Sequence, residues 1–311
     1  MKIASCLLTD SAIAVHPSVS ADFILPLPSG EVCKTREVMM QVEDKLLSKG
    51  FGKDGTLIAY GGGATLDLAG FVASTYMRGV RLHIVPTTLL AMVDVSIGGK
   101  NGINTRHGKN TLGTIYPAHE TILLYDVLST LSERDYLSGI AEILKLGAVY
   151  DPSFLSLSFA RSEVSYFVPL AREGKSDVVS RDLRDDGYRR ILNFGHTIGH
   201  ALEMRDSLPH GHAVASGMLI EAYYSYLTGA LPFADYTFFE SVIRRYSFES
   251  PKAEPYETLL PYLRVDKKGE RVVVLNGLGD VEPFDGTYVS PISHNAMQEA
   301  YEYICFSTIG A

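Results

Sequence analysis

Three histidines, His196, His200 and His210, are the residues of this sequence best suited by type and spacing to do chemistry. His196 and His200 are four residues apart, so a helix would place both imidazoles on one face, one turn apart. The apolar residues around them have helical spacing, and Leu208-Pro209 ends that pattern just before His210. A returning loop could therefore bring the third imidazole back to the first two.

A His-x-x-x-His pair has three interpretations. The simplest is a helix with two partly exposed histidines and no ligand. A zinc protease is excluded, because that motif needs Glu directly after the first histidine and Thr197 stands there. The third is a catalytic metal site completed by His210 and a distant carboxylate, an arrangement that leaves coordination positions open. The other histidines and the glycines nearby favour this third interpretation.

Length and composition limit the class of protein. The chain has 311 residues, enough for two domains or one large one, and its 46% hydrophobic and 21% charged residues are typical of a soluble globular protein. A net charge of −8 argues against nucleic acid and anionic membranes as partners, so an anionic substrate would need a local basic pocket. The cysteines, Cys6, Cys33 and Cys305, have no paired spacing, and no apolar run approaches ~18 residues. We therefore expect a cytoplasmic protein.

The first part of the chain alternates short apolar runs with helical patterns. These predict strands at 3–8, 23–27, 56–60, 80–85 and 121–125, with helices at 35–48 and 65–76. The third strand meets Gly61-Gly62-Gly63 just before a helix, where backbone N–H groups can hold a phosphate. A tight turn without ligand is an equal alternative. Two Gly-Lys pairs, Gly99-Lys100 and Gly108-Lys109, favour an anion site over surface turns.

The second part of the chain is dominated by helical patterns. Ser132 and Asp135 predict a helix N-cap, and the helix at 139–149 carries Glu142 and Lys145 three residues apart. Taken alone, an exposed ion pair is the preferred interpretation of these two and a buried site is the alternative. Further helices are predicted at 214–228 and 235–246 and a strand at 271–275. The expected architecture is an α/β domain with a mostly parallel sheet, then a mainly α-helical domain.

Long segments of this chain resemble one known family. They are GGGATLDLAGFVASTYMRG, VPTTLLAMVDVSIGGKNGIN, GKN, GIAEILK and RRILNFGHTIGHALE, and in this order they resemble the 3-dehydroquinate synthases, sugar phosphate cyclases of the shikimate pathway. The resemblance runs from about Ser29 to Gly279. It implies an α/β dinucleotide-binding domain at 1–130, N-terminally short for the family, and a mainly helical metal- and substrate-binding domain at 131–311.

The resemblance also implies an activity. Family members are lyases that convert 3-deoxy-D-arabino-heptulosonate 7-phosphate, a phosphorylated sugar acid, to 3-dehydroquinate and phosphate in aromatic amino acid biosynthesis. They use NAD in catalytic amount and a divalent metal, zinc or cobalt. We accordingly expect a cytoplasmic enzyme that acts as a homodimer.

Site residues follow from the resemblance position by position. The NAD contacts it implies are Asp10, Glu31, Lys34, Gly61, Gly62, Gly63, Asp67, Thr87, Thr88, Lys100, Lys109, Leu128, Ser129, Thr130 and Leu131. The metal ligands it implies are Glu142, His196 and His210. The substrate contacts and catalytic residues it implies are Asp94, Lys100, Asn110, Lys145, Lys175, Arg189, Asn193, His200 and Lys267 or Lys268.

This sequence departs from the family pattern at several positions, and two rival functions stay open. Leu66 stands where Gly is usual, the loop between the first and third histidines is short, and His212 replaces a Glu. We expect His212 to affect the choice of metal or the contacts around the third ligand. The rivals are a metal-dependent polyol or alcohol dehydrogenase, which needs no phosphate pocket, and a non-catalytic NAD-binding relic. Lys175 and Arg189, with Asn193 and His200, favour 3-dehydroquinate synthase over cyclases that make valiolone or inosose rings.

Overall fold

The computed structural model describes residues 4–264 and 270–306, so Lys267 and Lys268 lie outside the described residues. Contacts divide the chain into two units, Met1–Leu131 and Ser132–Ala311. Of the helices described, none combines the length and the apolar character needed to cross a membrane.

The first unit contains a parallel sheet. The strands of this unit are β1 (Ser5–Asp10), β2 (Phe23–Leu27), β3 (Thr56–Gly61), β4 (Arg81–Pro86), β5 (Lys100–Thr105), β6 (Gly108–Ile115) and β7 (Glu120–Thr121). The α-helices of this unit are α1 (Arg36–Ser48) and α2 (Gly63–Thr75). Among the described residues, five strands pair in the order β2-β1-β3-β4-β7, and every pair is parallel. The predicted α/β class with a mostly parallel sheet is confirmed.

Burial explains why these runs form these strands. In β1 the consecutive residues Cys6, Leu7 and Leu8 are all 0% exposed, as expected for a central parallel strand covered on both faces. In contrast, β2 alternates in burial and contains Pro26, which suits an edge strand.

One expectation and one alternative for the first unit need correction. The predicted strand at 121–125 is nearly absent, because β7 ends at Thr121 and Tyr125–Thr130 forms a 3-10 helix. For the two Gly-Lys pairs the alternative of separate surface turns is wrong, because β5 and β6 pair as an antiparallel hairpin that contains both lysines, and the anion site stays a prediction. An apolar run alone could not show which of its residues find a strand partner.

The second unit is mainly helical. Its helices are α3 (Glu133–Val149), α4 (Val164–Arg181), α5 (His196–Asp206), α6 (His210–Leu227), α7 (Phe233–Ile243), α8 (Leu260–Leu263) and α9 (His294–Phe306). Short antiparallel pairs join β8 (Arg271–Val272) to β11 (Ser290–Pro291) and β9 (Leu275–Gly277) to β10 (Asp280–Val281). The Ser132 hydroxyl accepts a hydrogen bond from Asp135 N at 3.1 Å, so the predicted N-cap is confirmed, and α3 begins at Glu133 and includes the predicted helix at 139–149.

The helices α3 and α6 form the centre of this unit. Nearly every residue of α3 from Tyr136 onward is buried, and α6 is buried from Gly211 to Ala222. Helix α6 contacts α3, α5, α7 and α9, and α3 also contacts α4 and the 3-10 segment Tyr188–Asn193. The elements that carry the predicted ligands therefore surround one buried core.

Candidate active site

The structure brings the three predicted metal ligands together. Glu142 comes from the middle of α3, and His196 and His210 are the first residues of α5 and α6. One ligand atom of each lies within 4.8 Å of the other two. Glu142 Oε1 is 3.4 Å from His196 Nε2 and 3.4 Å from His210 Nε2. Tetrahedral coordination with bonds of ~2.1 Å also places ligand atoms about 3.4 Å apart, so this spacing fits a divalent ion.

The hydrogen bonds around these residues also fit a metal. Within the described chain Glu142 Oε1 is buried and has no hydrogen-bond partner, an arrangement that is costly unless a cation is bound. His196 Nδ1 donates to the Phe194 carbonyl at 3.0 Å, and His210 Nδ1 donates to Glu203 Oε2 at 3.0 Å. A neutral ring held in this way presents the lone pair of Nε2, the atom that faces Glu142.

Electrostatics favour positive charge at the same point. Burial alone would raise the pKa of Glu142, but Lys145 and His196 hold the pKa of that carboxyl well below its usual range. Burial alone would lower the pKa of His210, but the nearby carboxyl groups of Glu142 and Glu203 raise that pKa to about 9. Two carboxylates thus stabilise a cation here, whether a proton or a metal ion that displaces it.

A third imidazole and an ammonium group adjoin the triad. The His200 ring centroid is 5.3 Å from that of His196 and 5.7 Å from that of His210. Lys145 Nζ hydrogen-bonds Glu142 Oε2, and both side chains are buried. The interpretation of this pair as an exposed ion pair is therefore wrong. It is buried because α3 is a central helix, which residue spacing alone does not reveal.

Two further cations are buried near α3. Lys175 on α4 is 7% exposed, and Arg189 in the 3-10 segment Tyr188–Asn193 is 4% exposed. Asp182 shapes the turn before that segment, because its Oδ2 accepts from Gly187 N at 2.7 Å and from Arg189 N at 3.2 Å. Basic side chains are seldom this buried, so they supply the local positive charge that an acidic protein needs to hold an anion. Asn193 ends the same segment.

Close backbone contact positions the ligand-bearing helices. A Cβ atom on Gly211, next to His210, would lie 2.2 Å from Ser138 Cα in α3. A Cβ atom on Gly199, in α5, would lie 3.0 Å from the Ala213 carbonyl oxygen in α6. The three helices thus pack with little room for side chains, which fixes the distances between the ligands that they carry.

The first unit brings the predicted glycine turn and threonines together. Gly61-Gly62-Gly63 joins β3 to α2, with Gly62 as an N-cap that provides no side chain. Thr87 N donates to the Gly61 carbonyl at 3.0 Å, and a Cβ on Gly62 would lie 3.2 Å from Thr88 Cγ2. These residues follow the carboxyl ends of neighbouring parallel strands and lie at a helix N-terminus, where dinucleotide phosphates bind in such folds.

A second predicted group meets around Lys34. Its buried Nζ lies 2.6 Å from both Asp67 Oδ2 and Asn110 Oδ1. Burial raises the pKa of Asp67, although Lys34 acts to lower it. Glu31 Oε1 lies 3.6 Å from Lys34 Nζ. Three predicted NAD contacts and one predicted substrate contact are thus neighbours.

The remaining predicted residues of the first unit occupy other elements. Asp10 ends β1, and its Oδ2 accepts from Ser29 Oγ at 3.0 Å and Gly30 N at 3.1 Å, so it orders the loop after β2. Asp94 lies in a short π-helical segment, Lys100 and Lys109 are exposed on the hairpin, and Leu128, Ser129, Thr130 and Leu131 lie at the end of the unit. Their roles stay predictions.

His212, the departure next to the third ligand, faces other partners. Its Nδ1 accepts from Glu249 N at 2.7 Å, so its Nε2–H donates to the Arg134 carbonyl at 2.9 Å. The ring is buried and connects the start of α6 to the start of α3 and to the chain after α7. We therefore assign it a role in packing.

Sequence reasoning missed Glu203, which accepts from His210 Nδ1. A signal was present, because Glu203 follows His196 and His200 at helical spacing on the same face of α5. A carboxylate beside a ligand histidine orients the ring and increases its basicity.

Comparison with known proteins gives the family. The model of the 3-dehydroquinate synthase N-terminal domain matches residues 24–138, and the model of the 3-dehydroquinate synthase C-terminal domain matches residues 139–269. The chain belongs to the 3-dehydroquinate synthase family. A 3-dehydroquinate synthase of Thermobifida fusca (strain YX) is 39% identical over 258 residues, which cover 79% of this chain and 70% of that protein.

Solved structures share the fold. A 2-deoxy-scyllo-inosose synthase complexed with carbaglucose-6-phosphate, NAD⁺ and Co²⁺ has a TM-score of 0.88 at 24% identity, covering 97% of this chain and 90% of that one. A 2-epi-5-epi-valiolone synthase from Streptomyces hygroscopicus subsp. jinggangensis 5008, with NAD⁺ and Zn²⁺ bound, has a TM-score of 0.82 at 24% identity, covering 98% and 92%. At this identity the likeness concerns the fold.

Proposed function

We propose that this chain converts 3-deoxy-D-arabino-heptulosonate 7-phosphate to 3-dehydroquinate and phosphate. Its family membership supports the reaction, and the buried Glu142 Oε1 at 3.4 Å from two imidazole nitrogens supports a metal-dependent mechanism. The fold relatives contain NAD⁺ with Co²⁺ or Zn²⁺, which supports NAD and a divalent ion here. Zinc as the metal, a homodimer and a cytoplasmic location belong to the same proposal.

Glu142, His196 and His210 would hold the metal. A bound divalent ion supplies Lewis acidity, which lowers the pKa of a coordinated substrate hydroxyl. Glu203 and the Phe194 carbonyl hold two of the ligand rings, and Lys145 holds the carboxylate of the third ligand. These contacts preorganise the site, so positioning contributes much of the catalysis.

Buried cations of the second unit would hold the substrate anion. Lys175 and Arg189 each contribute a positive charge screened from water, and charge-assisted bonds to phosphate are strong in such surroundings. Asn193 and His200 would orient hydroxyl groups beside them. We assign the second unit to metal and substrate.

The glycine turn of the first unit would hold NAD. Gly61-Gly62-Gly63 offers backbone N–H groups at the start of α2, and Thr87-Thr88 lines the neighbouring strand end. Bound NAD supplies reversible acceptance of a hydride. Lys34, Asp67 and their neighbours would contact the cofactor, and we assign the first unit to NAD.

The decisive experiment follows the fate of NAD. We would supply heptulosonate 7-phosphate with NAD far below the substrate concentration and measure phosphate and the nicotinamide absorbance together. We expect phosphate release to exceed total NAD many times, with no lasting NADH signal, because the hydride returns within each turnover. NADH that rises in step with substrate loss would instead show a dehydrogenase, and bound NAD without any phosphate release would show a non-catalytic protein.

A further inference from the structure

The first turn of α5 has no cap of its own. This helix begins at His196, so its start sets the position of a predicted metal ligand. The N-cap residue is Gly195, with φ of 74°, and the third helical residue is Ile198. A capping box needs a polar side chain at each of these two positions, one to bind the third N–H and one to bind the N-cap N–H. The sequence of α5 provides neither.

A carboxyl group from another helix serves both positions. Glu221 lies on α6 and is 0% exposed. Its Oε2 accepts from Gly195 N at 2.8 Å, and its Oε1 faces Ile198 N at 3.5 Å. One side chain therefore supplies the two acceptors that a capping box would provide. Residue spacing gives no signal for this contact, because it joins positions on different helices.

Packing explains why the cap comes from α6. A Cβ on Gly195 would lie 2.3 Å from Met218 Cγ, and a Cβ on Gly217 would lie 2.1 Å from the Gly195 carbonyl oxygen. Neither helix can carry a larger side chain at this crossing. The left-handed conformation of Gly195 adds a second restriction, because L side chains rarely adopt it. Glu221, one turn beyond Gly217, can reach the crossing from the side.

The contact leads directly to a ligand ring. The N–H that Glu221 binds and the Phe194 carbonyl belong to the same peptide group. That carbonyl accepts from His196 Nδ1 at 3.0 Å. A carboxyl group, a peptide and an imidazole thus form a continuous chain of hydrogen bonds that ends at the Nε2 facing Glu142. Bonds in such a chain polarise one another and strengthen the final acceptor.

We propose that Glu221 is a positioning residue for His196: through the Phe194–Gly195 peptide it orients the imidazole and increases its strength as a metal ligand. The proposal rests on the metal site proposed above. Replacing the group that hydrogen-bonds the second ring nitrogen of a ligand histidine typically lowers metal affinity by ~10–100-fold. Glu221 acts one peptide further away, so we expect an effect near the lower end of this range.

Cobalt binding to the intact 311-residue chain tests the proposal without an activity assay. Glu221→Gln keeps the size of the side chain, but its NH₂ group must face one of the two N–H donors. We expect Co²⁺ to bind at least ~10-fold more weakly, with an altered visible absorption spectrum that reports the changed ligand geometry. Ser225→Ala is the matched control, because Ser225 is one turn further along α6 and 0% exposed, and it bonds the Glu221 carbonyl and Leu275 N. This variant should lose stability and keep the wild-type affinity and spectrum.

The outcomes separate the inference from the site on which it rests. Wild-type protein that binds no Co²⁺ refutes the metal site. If the wild-type protein binds Co²⁺ and Glu221→Gln has the same affinity and spectrum, the role of Glu221 is refuted and the metal site stands. An equal change in Ser225→Ala would also refute the role of Glu221. If Glu221→Gln does not fold, [¹⁵N]glycine labelling of the wild-type protein decides. We expect a strongly protected Gly195 amide, and exchange as fast as that of the exposed Gly286 would overturn the proposal.

Discussion

Replacing Gly211 with Ala should weaken metal binding, although local helix preference predicts a gain in stability. Gly211 is the second residue of α6 and directly follows the ligand His210. In a helix, Ala is favoured over Gly by ~1 kcal/mol. Tertiary packing opposes this preference, because the added Cβ would lie 2.2 Å from Ser138 Cα and 2.5 Å from the Ser138 carbonyl oxygen. The two effects have opposite signs, so the variant distinguishes between them.

The size of the effect follows from the required movement. Ordinary contact begins at 3.4 Å, so a Cβ at 2.2 Å requires the first turn of α6 to move about 1.2 Å away from α3. Metal sites tolerate deviations of only ~0.2 Å in ligand distance. His210 moves with α6 while Glu142 stays on α3, so we expect Co²⁺ affinity to fall at least ~10-fold. Overpacking costs ~1–3 kcal/mol, which cancels or exceeds the helix preference.

Two measurements test this expectation: Co²⁺ titration against a competing chelator, and denaturant unfolding of the metal-free protein. Gly277→Ala is the matched control, since its Cβ would meet its nearest neighbour, Asp235 Oδ2, at an ordinary 3.6 Å and both properties should stay unchanged. His210→Ala, which removes a ligand, defines the lower limit of affinity. Wild-type affinity together with increased stability in Gly211→Ala would show that the close approach does not position His210.

Two further predictions concern charge. Lys175→Ala should lower kcat/KM at least ~10-fold, since a charge-assisted contact contributes ~1.5–3 kcal/mol. The control is Lys252→Ala, which removes an exposed lysine and should leave kcat/KM unchanged. Equal kinetics in both variants would refute the anion pocket. The second prediction concerns the charge of Asp206. Burial would raise the pKa of this carboxyl, but hydrogen bonds from Arg205 and Lys252 N hold that pKa below its usual range. A carboxyl group whose pKa is lower in the folded protein than in the unfolded protein stabilises the fold at pH values above the unfolded-state pKa of ~3.9. This contribution is lost as the pH falls through the folded-state pKa. The stability gap between wild type and Asp206→Asn, measured by urea unfolding, should therefore be full at ~pH 7 and shrink below ~pH 4; a constant gap would contradict the linkage.

Local patterns in the sequence determined many of the elements and the histidines of the candidate site, whereas the resemblance to the family supplied its other residues. Short apolar runs predicted β1 to β4, and helical spacing predicted α1, α2, α7 and most of α3 and α6, because such patterns depend on neighbours within a few positions. The helices α4 and α9 were not predicted. Four-residue spacing placed His196 and His200 on one face of a helix, and Ser132 with Asp135 marked the start of α3. The glycine turn before α2 was also predicted, because three consecutive glycines between a strand and a helix are a local pattern.

Only the tertiary structure decided which of these groups are buried and which act together. The Glu142–Lys145 pair is buried because α3 is central, and His212 bonds the backbone of Arg134 and Glu249 because the starts of α3 and α6 meet. Glu221 reaches α5 only because Gly195 and Gly217 allow two backbones to approach closely. Hydrogen bonding and burial at these residues depend on partners far away in sequence, so no local period encodes them.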